Sequence, residues 1–205
     1  CETKVINLQH QMLAHVTELP ESERQSFDYQ AFVNEKIRSA IEALQPDMIG
    51  ATCMFSLTHA SFTNVINLCR AHSESPIVIG GVHVTNAYSD EKTRPAFLTD
   101  AGAADAIFLR EAEVSFDAVL KFSKDNCDFP GQVAIRNADG EFEGLPVIAQ
   151  PEESEINWIP AYSLFPPTEL STVGRIGTFE SILPEQSKIA TVLFNRGCRA
   201  FCTFC

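Results

Sequence analysis

The stretch Pro46–His59, PDMIGATCMFSLTH, decides how the rest of the chain is read. Proline cannot continue a helix, so Pro46 closes whatever helix precedes it. Asp47 to Phe55 then runs on as a nearly continuous apolar segment, which reads as a strand buried on both faces. Upstream, Val33, Ile37, Ala40, Ile41 and Leu44 recur at helical spacing, and downstream Phe62, Val65, Ile66 and Cys69 do the same. A buried strand between two amphipathic helices is the repeating unit of an α/β sheet.

The alternation extends in both directions. Lys4–Gln9 (KVINLQ) is expected to form a first strand, followed by a polar stretch from Leu19 to Ser26. Ile77-Val78-Ile79 is the third strand, running into Gly80-Gly81, and a short helix interrupted by Pro95 leads to a fourth strand at Ala106–Leu109. Ala112, Phe116, Val119 and Leu120 mark one more amphipathic helix. Strands apolar on both faces, separated by helices, predict a parallel sheet covered on both sides. Right-handed crossovers make it a doubly wound, flavodoxin-like (Rossmann-like) α/β domain.

The pattern changes after residue 130. Gln132–Asn137 and Glu141–Glu143 flank Ala138-Asp139-Gly140 and read as a hairpin with an Asp-Gly turn. The expected α/β domain therefore spans residues 1–145. Residues 146–188 are proline-rich, holding six of the chain's eleven prolines, and read as a linker. Ile189–Phe194 is a further strand that opens a third segment, 189–205.

Composition narrows the function classes. The 205 residues carry a net charge of −12 with no basic run, which argues against a nucleic-acid partner. No apolar stretch is long enough to span a bilayer. No signal peptide opens the chain, and seven unevenly spread cysteines do not make a secreted disulfide framework, so a reducing cytoplasm is expected. The chain begins at Cys1 without a methionine and stops at Cys205, and both ends read as cut. Such a fragment is expected to be inactive alone.

The last segment contains Cys198-x3-Cys202-x2-Cys205. Thiolates are soft ligands for zinc or iron–sulfur clusters, and this spacing lets one loop wrap a single metal centre while Gly197 relieves the turn. Three cysteines on a [4Fe–4S] cluster leave one iron open. A zinc site completed by a fourth ligand from elsewhere is the competing reading. Three neighbouring cysteines cannot all pair as disulfides. Cys53 and Cys69 lie in apolar surroundings and read as small core hydrophobes, and Cys127 reads as a surface-loop residue.

Three loops stand at the carboxyl ends of the expected strands, where α/β sheets bind ligands. They are Ser56-Leu57-Thr58-His59, Gly80-Gly81-Val82-His83, and Arg110-Glu111-Ala112-Glu113. The two glycines allow close approach of a ligand to the backbone, and Ser56 and Thr58 offer hydroxyl donors. Each has a plainer reading too, because Ser and Thr cap helices and paired glycines turn chains.

With Phe204 just before the last cysteine, the terminal motif resembles the signature of the radical S-adenosylmethionine superfamily. That resemblance implies a [4Fe–4S] cluster on Cys198, Cys202 and Cys205, with S-adenosylmethionine bound at the open iron and Phe204 beside it. Reductive cleavage there yields a 5′-deoxyadenosyl radical, fed by an electron donor such as flavodoxin or ferredoxin, that acts on a small-molecule substrate. The strand-end loops, in this order, are similar to the cobalamin-binding domain that precedes many such barrels. This implies cobalamin against Ser56, Leu57, Thr58, His59, Gly80, Gly81, Val82, His83 and Glu111, with methyl transfer or a related radical reaction as the chemistry. None of the five histidines sits in a D-x-H-x-x-G motif, so no cobalt-ligating histidine from that motif is expected. A corrinoid or small-ligand module without catalysis, and a zinc-stabilised interaction protein, remain the alternatives.

Overall fold

The computed structural model describes residues 2–121 and 132–144, with isolated positions between 152 and 164. The described residues fall into two units, one reaching Phe27 and including 161–164, the other running from Asp28 to Ile159.

The first unit corrects the expected opening strand. Residues 2–7 have no regular structure, and helix α1, Leu8–Glu18, takes up the end of the KVINLQ run. Asn7 is the reason: its side chain accepts from the His10 N–H at 3.0 Å, capping α1 where a strand would need extended backbone. Helix α2, Glu21–Arg24, falls inside the polar stretch. Arg24 folds back on the end of α1, its guanidinium donating to the Leu19 and Thr17 carbonyls at 2.9 and 2.8 Å.

The second unit begins with α3, Tyr29–Leu44, whose first turn is capped by Asp28 accepting from the Ala31 N–H at 2.9 Å. Gln45 ends it in the left-handed region (φ 44°) and Pro46 prevents continuation. There follow β1 (Ile49–Thr52), a 3₁₀ turn at Ser56–Thr58, α4 (His59–His72), β2 (Ile77–Gly80), α5 (Val82–Ser89) and α6 (Arg94–Asp100). β3 (Ala106–Phe108), α7 (Glu113–Lys121), β4 (Val133–Arg136) and β5 (Phe142–Glu143) complete it.

These strands form one five-stranded sheet in the order β1-β2-β3-β4-β5. β1, β2 and β3 are parallel, with Gly50 opposite Val78 and Val78 opposite Ala106. β4 runs antiparallel to β3, and β5 to β4, so the Asp-Gly hairpin forms as expected. The expected parallel α/β sheet is present. The doubly wound strand order is not seen, because with Lys4–Gln9 outside the sheet the described strands follow one another in sequence without a reversal.

Both faces of the central strands are nonetheless covered. Val78, Ala106, Phe108 and Val133 share one face, packed against Ala112 and Val119, with Phe116 edge-on to Phe108 at 5.4 Å. Strand alternation puts Ile77, Ile79, Ile107 and Ala134 on the other face, all at 1% exposure or less. Helix α4 packs on β1 and β2, and α5 on β2 and β3. Phe62, Ile66 and Cys69 form the buried stripe of α4, as their spacing predicts. Burying each such aliphatic side chain contributes about 1.5–3 kcal/mol, so this layer holds the strand ends in place.

β1 departs from expectation. It is half-buried rather than buried on both faces, with Gly50 and Thr52 exposed, because it is the edge strand among those described. Pro95 does not interrupt a single helix. It lies in the first turn of α6, where its missing N–H costs nothing, and the break falls at Asp90–Thr93. No described helix is long and apolar enough to cross a membrane. Most of the expected linker, the strand at 189–194, Cys127, Cys198, Cys202, Phe204 and Cys205 lie outside the described residues.

Candidate functional site

The first two predicted loops meet at the carboxyl ends of β1 and β2, and Cys53 joins them. Its N–H donates to the Gly80 carbonyl at 2.9 Å, and its carbonyl accepts from the His83 N–H at 3.1 Å. Gly81 lies between, at φ 108°. A Cβ there would stand 2.5 Å from the Cys53 carbonyl oxygen and 2.7 Å from Thr52 Oγ1, so no side chain fits. Gly81 is thus required by the close approach of the two strand ends, whereas a Cβ at Gly80 would meet Phe108 at 3.4 Å.

The hydroxyls behave otherwise than expected. Thr58 Oγ1 donates to the Phe55 carbonyl at 2.8 Å and lies 3.5 Å from Cys53 Sγ, so its donor is spent inside its own loop. It does not cap α4. Ser56 is exposed in the same turn.

What the loops present outward is apolar. Leu57 is 97% exposed, Phe55 67%, Met54 53% and, on the adjoining loop, Val82 54%. Water contact by four large apolar side chains on two hydrogen-bonded loops is costly without a ligand or partner to cover them. Sequence reading singled out Leu57 and Val82. It missed Met54 and Phe55, which it had placed in a buried strand.

The two loop histidines come together. His59, first residue of α4, and His83, in the first turn of α5, have ring centroids 5.0 Å apart in an edge-on arrangement. His83 Nε2 and His59 Nδ1 are 3.0 Å apart, and His59 Nε2 lies 2.9 Å from Asp100 Oδ2 at the end of α6. Phe97, one turn earlier on α6 and 3% exposed, backs both rings at 6.2 and 6.4 Å.

The proton order along this chain follows from its partners. With Asp100 ionised and His59 neutral, His59 carries its proton on Nε2 and accepts at Nδ1. His83 must then donate from Nε2, which leaves its own Nδ1 as an unprotonated acceptor. Burial, and secondarily the neighbouring His59, lower the His83 pKa and favour this neutral form. Asp100 and Phe97 carried no sequence signal for this role, being on a helix that follows none of the predicted ligand loops directly.

The third loop is tied in from the far side. The Arg110 N–H donates to Thr85 Oγ1 on α5 at 2.9 Å, with Arg110 in the left-handed region at φ 56°. Glu111 follows it, half-buried, in the bend before α7. It belongs to the same strand-end edge but is not bonded to the histidine pair. Among the described residues no group of three or more His, Cys, Asp or Glu could hold a metal ion.

Residues 12–120 match the family described as "B12 binding domain". Among curated proteins and among solved structures, no match to the chain is found. The residues present fit a corrinoid. The Gly81 turn draws the two loops together against the Cys53 carbonyl, Met54, Phe55, Leu57 and Val82 offer apolar cover for a macrocycle, and the histidine pair supplies imidazole nitrogen at the same edge.

Proposed function

The chain belongs to the B12-binding domain family, and on that premise we propose that the carboxyl edge of β1–β3 binds a cobalamin-type corrinoid. The observation that carries this reading is the joining of an exposed apolar loop to a glycine turn that admits no side chain, through the backbone of Cys53. In this reading Leu57, Val82, Met54 and Phe55 shield one side of the macrocycle from water. Gly80 and Gly81 let it approach the backbone, and Ser56, His59, His83 and Glu111 supply polar contacts at its rim. Thr58 has a different task, holding the loop in shape through Phe55. A bound corrinoid supplies methyl carriage at its cobalt, while the protein orients and shields it.

We further propose that this domain serves a radical S-adenosylmethionine enzyme. The support is the spacing Cys198-x3-Cys202-x2-Cys205 with Phe204, on the same chain as a B12-binding domain. The three cysteines would hold a [4Fe–4S] cluster whose open iron takes S-adenosylmethionine, with an external one-electron donor such as flavodoxin or ferredoxin. Methyl transfer to a small molecule is the reaction class, in a cytoplasmic setting.

Two measurements on the 205-residue chain test the two proposals separately. Calorimetric titration with hydroxocobalamin is expected to saturate at one corrinoid per chain, and absence of heat overturns the corrinoid reading. Anaerobic reconstitution with iron and sulfide is expected to give a [4Fe–4S] absorption band that Cys202→Ala abolishes. Stoichiometric zinc without that band overturns the radical reading and leaves the first intact.

A further inference from the structure

Most of the His59–His83–Asp100 chain is consumed internally. Both nitrogens of His59 are engaged, one by Asp100 and one by His83. In that proton order His83 uses Nε2 as donor, and the structure gives its ring no other hydrogen bond among the described residues. Its Nδ1 lone pair is therefore the output of the relay. A carboxylate behind a histidine fixes the tautomer and raises the basicity of the outer nitrogen, the arrangement that supports metal-bound imidazoles. Here two imidazoles stand in series behind the same carboxylate. Phe97 packs against both rings and restricts their rotation.

One imidazole nitrogen does not make a site for a free ion. No cluster of three or more potential ligands exists among the described residues. A single directed nitrogen suits a metal that arrives with its other ligands already in place. A corrin macrocycle fills four equatorial positions of its cobalt and leaves axial ones open. The relay lies on the edge where the glycine turn and the exposed apolar side chains meet, because His83 itself bonds to the Cys53 carbonyl that joins them.

We propose that His83 Nδ1 is an axial ligand to the cobalt of the bound corrinoid, with His59 and Asp100 as positioning residues behind it. This rests on the corrinoid reading above. The missing D-x-H-x-x-G histidine is then replaced by one from the GGVH turn, held by a carboxylate 17 residues further on rather than two residues before it. Asp100 reaches it through His59, so ligand, intervening imidazole and carboxylate come from three different helices, α5, α4 and α6.

The test uses aquocobinamide, a corrinoid without a nucleotide base, so that any axial nitrogen must come from the protein. The full 205-residue chain is loaded, desalted and reduced to the Co(II) state, and its electron paramagnetic resonance spectrum is recorded. A single coordinated ¹⁴N splits each cobalt line into a triplet, and chain grown on ¹⁵N-histidine is expected to give doublets instead. His83→Ala is expected to retain cobinamide and lose the splitting. Asp100→Asn is expected to retain cobinamide while the split fraction falls, since a neutral amide no longer fixes the His59 tautomer.

A wild-type spectrum without nitrogen splitting, with cobinamide retained, overturns the ligand assignment and leaves the corrinoid reading standing. Splitting that persists in His83→Ala overturns it equally. Absence of any retained cobinamide in the wild type overturns both. If His83→Ala releases the cobinamide, imidazole is added to refill the space: return of corrinoid with a triplet supports the assignment, and failure to return overturns it.

Discussion

His83 Nε2 lies 3.0 Å from His59 Nδ1, although the two residues are 24 positions apart and begin different helices. What brings them together is the backbone of Cys53, at the end of β1, which receives the N–H of His83 and donates to Gly80. The imidazole contact is thus a consequence of strand pairing.

Gly81→Ala places a Cβ against the Cys53 carbonyl in a backbone conformation that L-residues rarely adopt. The strain is about 1–3 kcal/mol, and relief requires the two loops to separate. Urea unfolding should show the loss as a lower midpoint. Corrinoid affinity should fall by more than the loss of stability alone explains.

Leu57→Asp separates binding from folding. At 97% exposure Leu57 contributes little to the core, so the change should alter unfolding free energy by no more than about 0.5 kcal/mol. Replacing apolar cover by a charge should weaken corrinoid binding about tenfold, equivalent to about 1.4 kcal/mol. An unchanged dissociation constant would place the macrocycle elsewhere.

Acid should weaken the corrinoid-free fold through His83. Its pKa is lowered from 6.5 in the folded chain, by burial first and by His59 second, so the folded state prefers the neutral ring. Between the unfolded value and the lower folded one, the unfolded chain binds more protons, and stability falls as pH falls. This contribution is complete above the unfolded value near 6.5 and is lost on passing down through the folded one. Urea midpoints measured at stepped pH should show the slope, and His83→Gln should flatten it.

Ile79→Ala tests the layer under the site. Ile79 is 1% exposed in the central strand of the parallel triplet, and truncation should cost about 2–5 kcal/mol by unfolding free energy. Because Gly80 follows it directly, near-ultraviolet changes on corrinoid binding should diminish as well.

The parallel core was legible in the sequence because its signals are local. Phe62, Ile66 and Cys69 repeat at helical spacing, Ile77–Ile79 is apolar throughout, and Asp139-Gly140 marks its hairpin. Lys4–Gln9 misled because three apolar residues in six, Val5, Ile6 and Leu8, are equally compatible with a helix start, and Asn7 as a cap decided the matter. β1 misled because an apolar run does not say whether its strand lies at the edge of a sheet.

Asp100 was illegible for a different reason. Its meeting with His59 depends on the break between α5 and α6. Asp90 Oδ1 accepts from the Lys92 N–H at 2.9 Å there, and Thr93 donates to the Ala87 carbonyl at 3.0 Å. The sequence did contain the signs, an aspartate able to form a side-chain turn and Pro95 suited to a helix start. Read as one interrupted helix, the segment gave no reason to bring residue 100 back to the strand ends.

Amide hydrogen–deuterium exchange of the 205-residue chain with and without hydroxocobalamin tests the corrinoid site most directly. Added protection is expected in peptides covering 53–59 and 80–86, with 97–100 following through Asp100. Peptides over Gln45, Pro46, Ser73 and Glu74, which line a hollow before β1 and β2 at the opposite strand ends, should be unaffected. Protection at that hollow, or no change in 53–59 and 80–86 at saturating corrinoid, would contradict it.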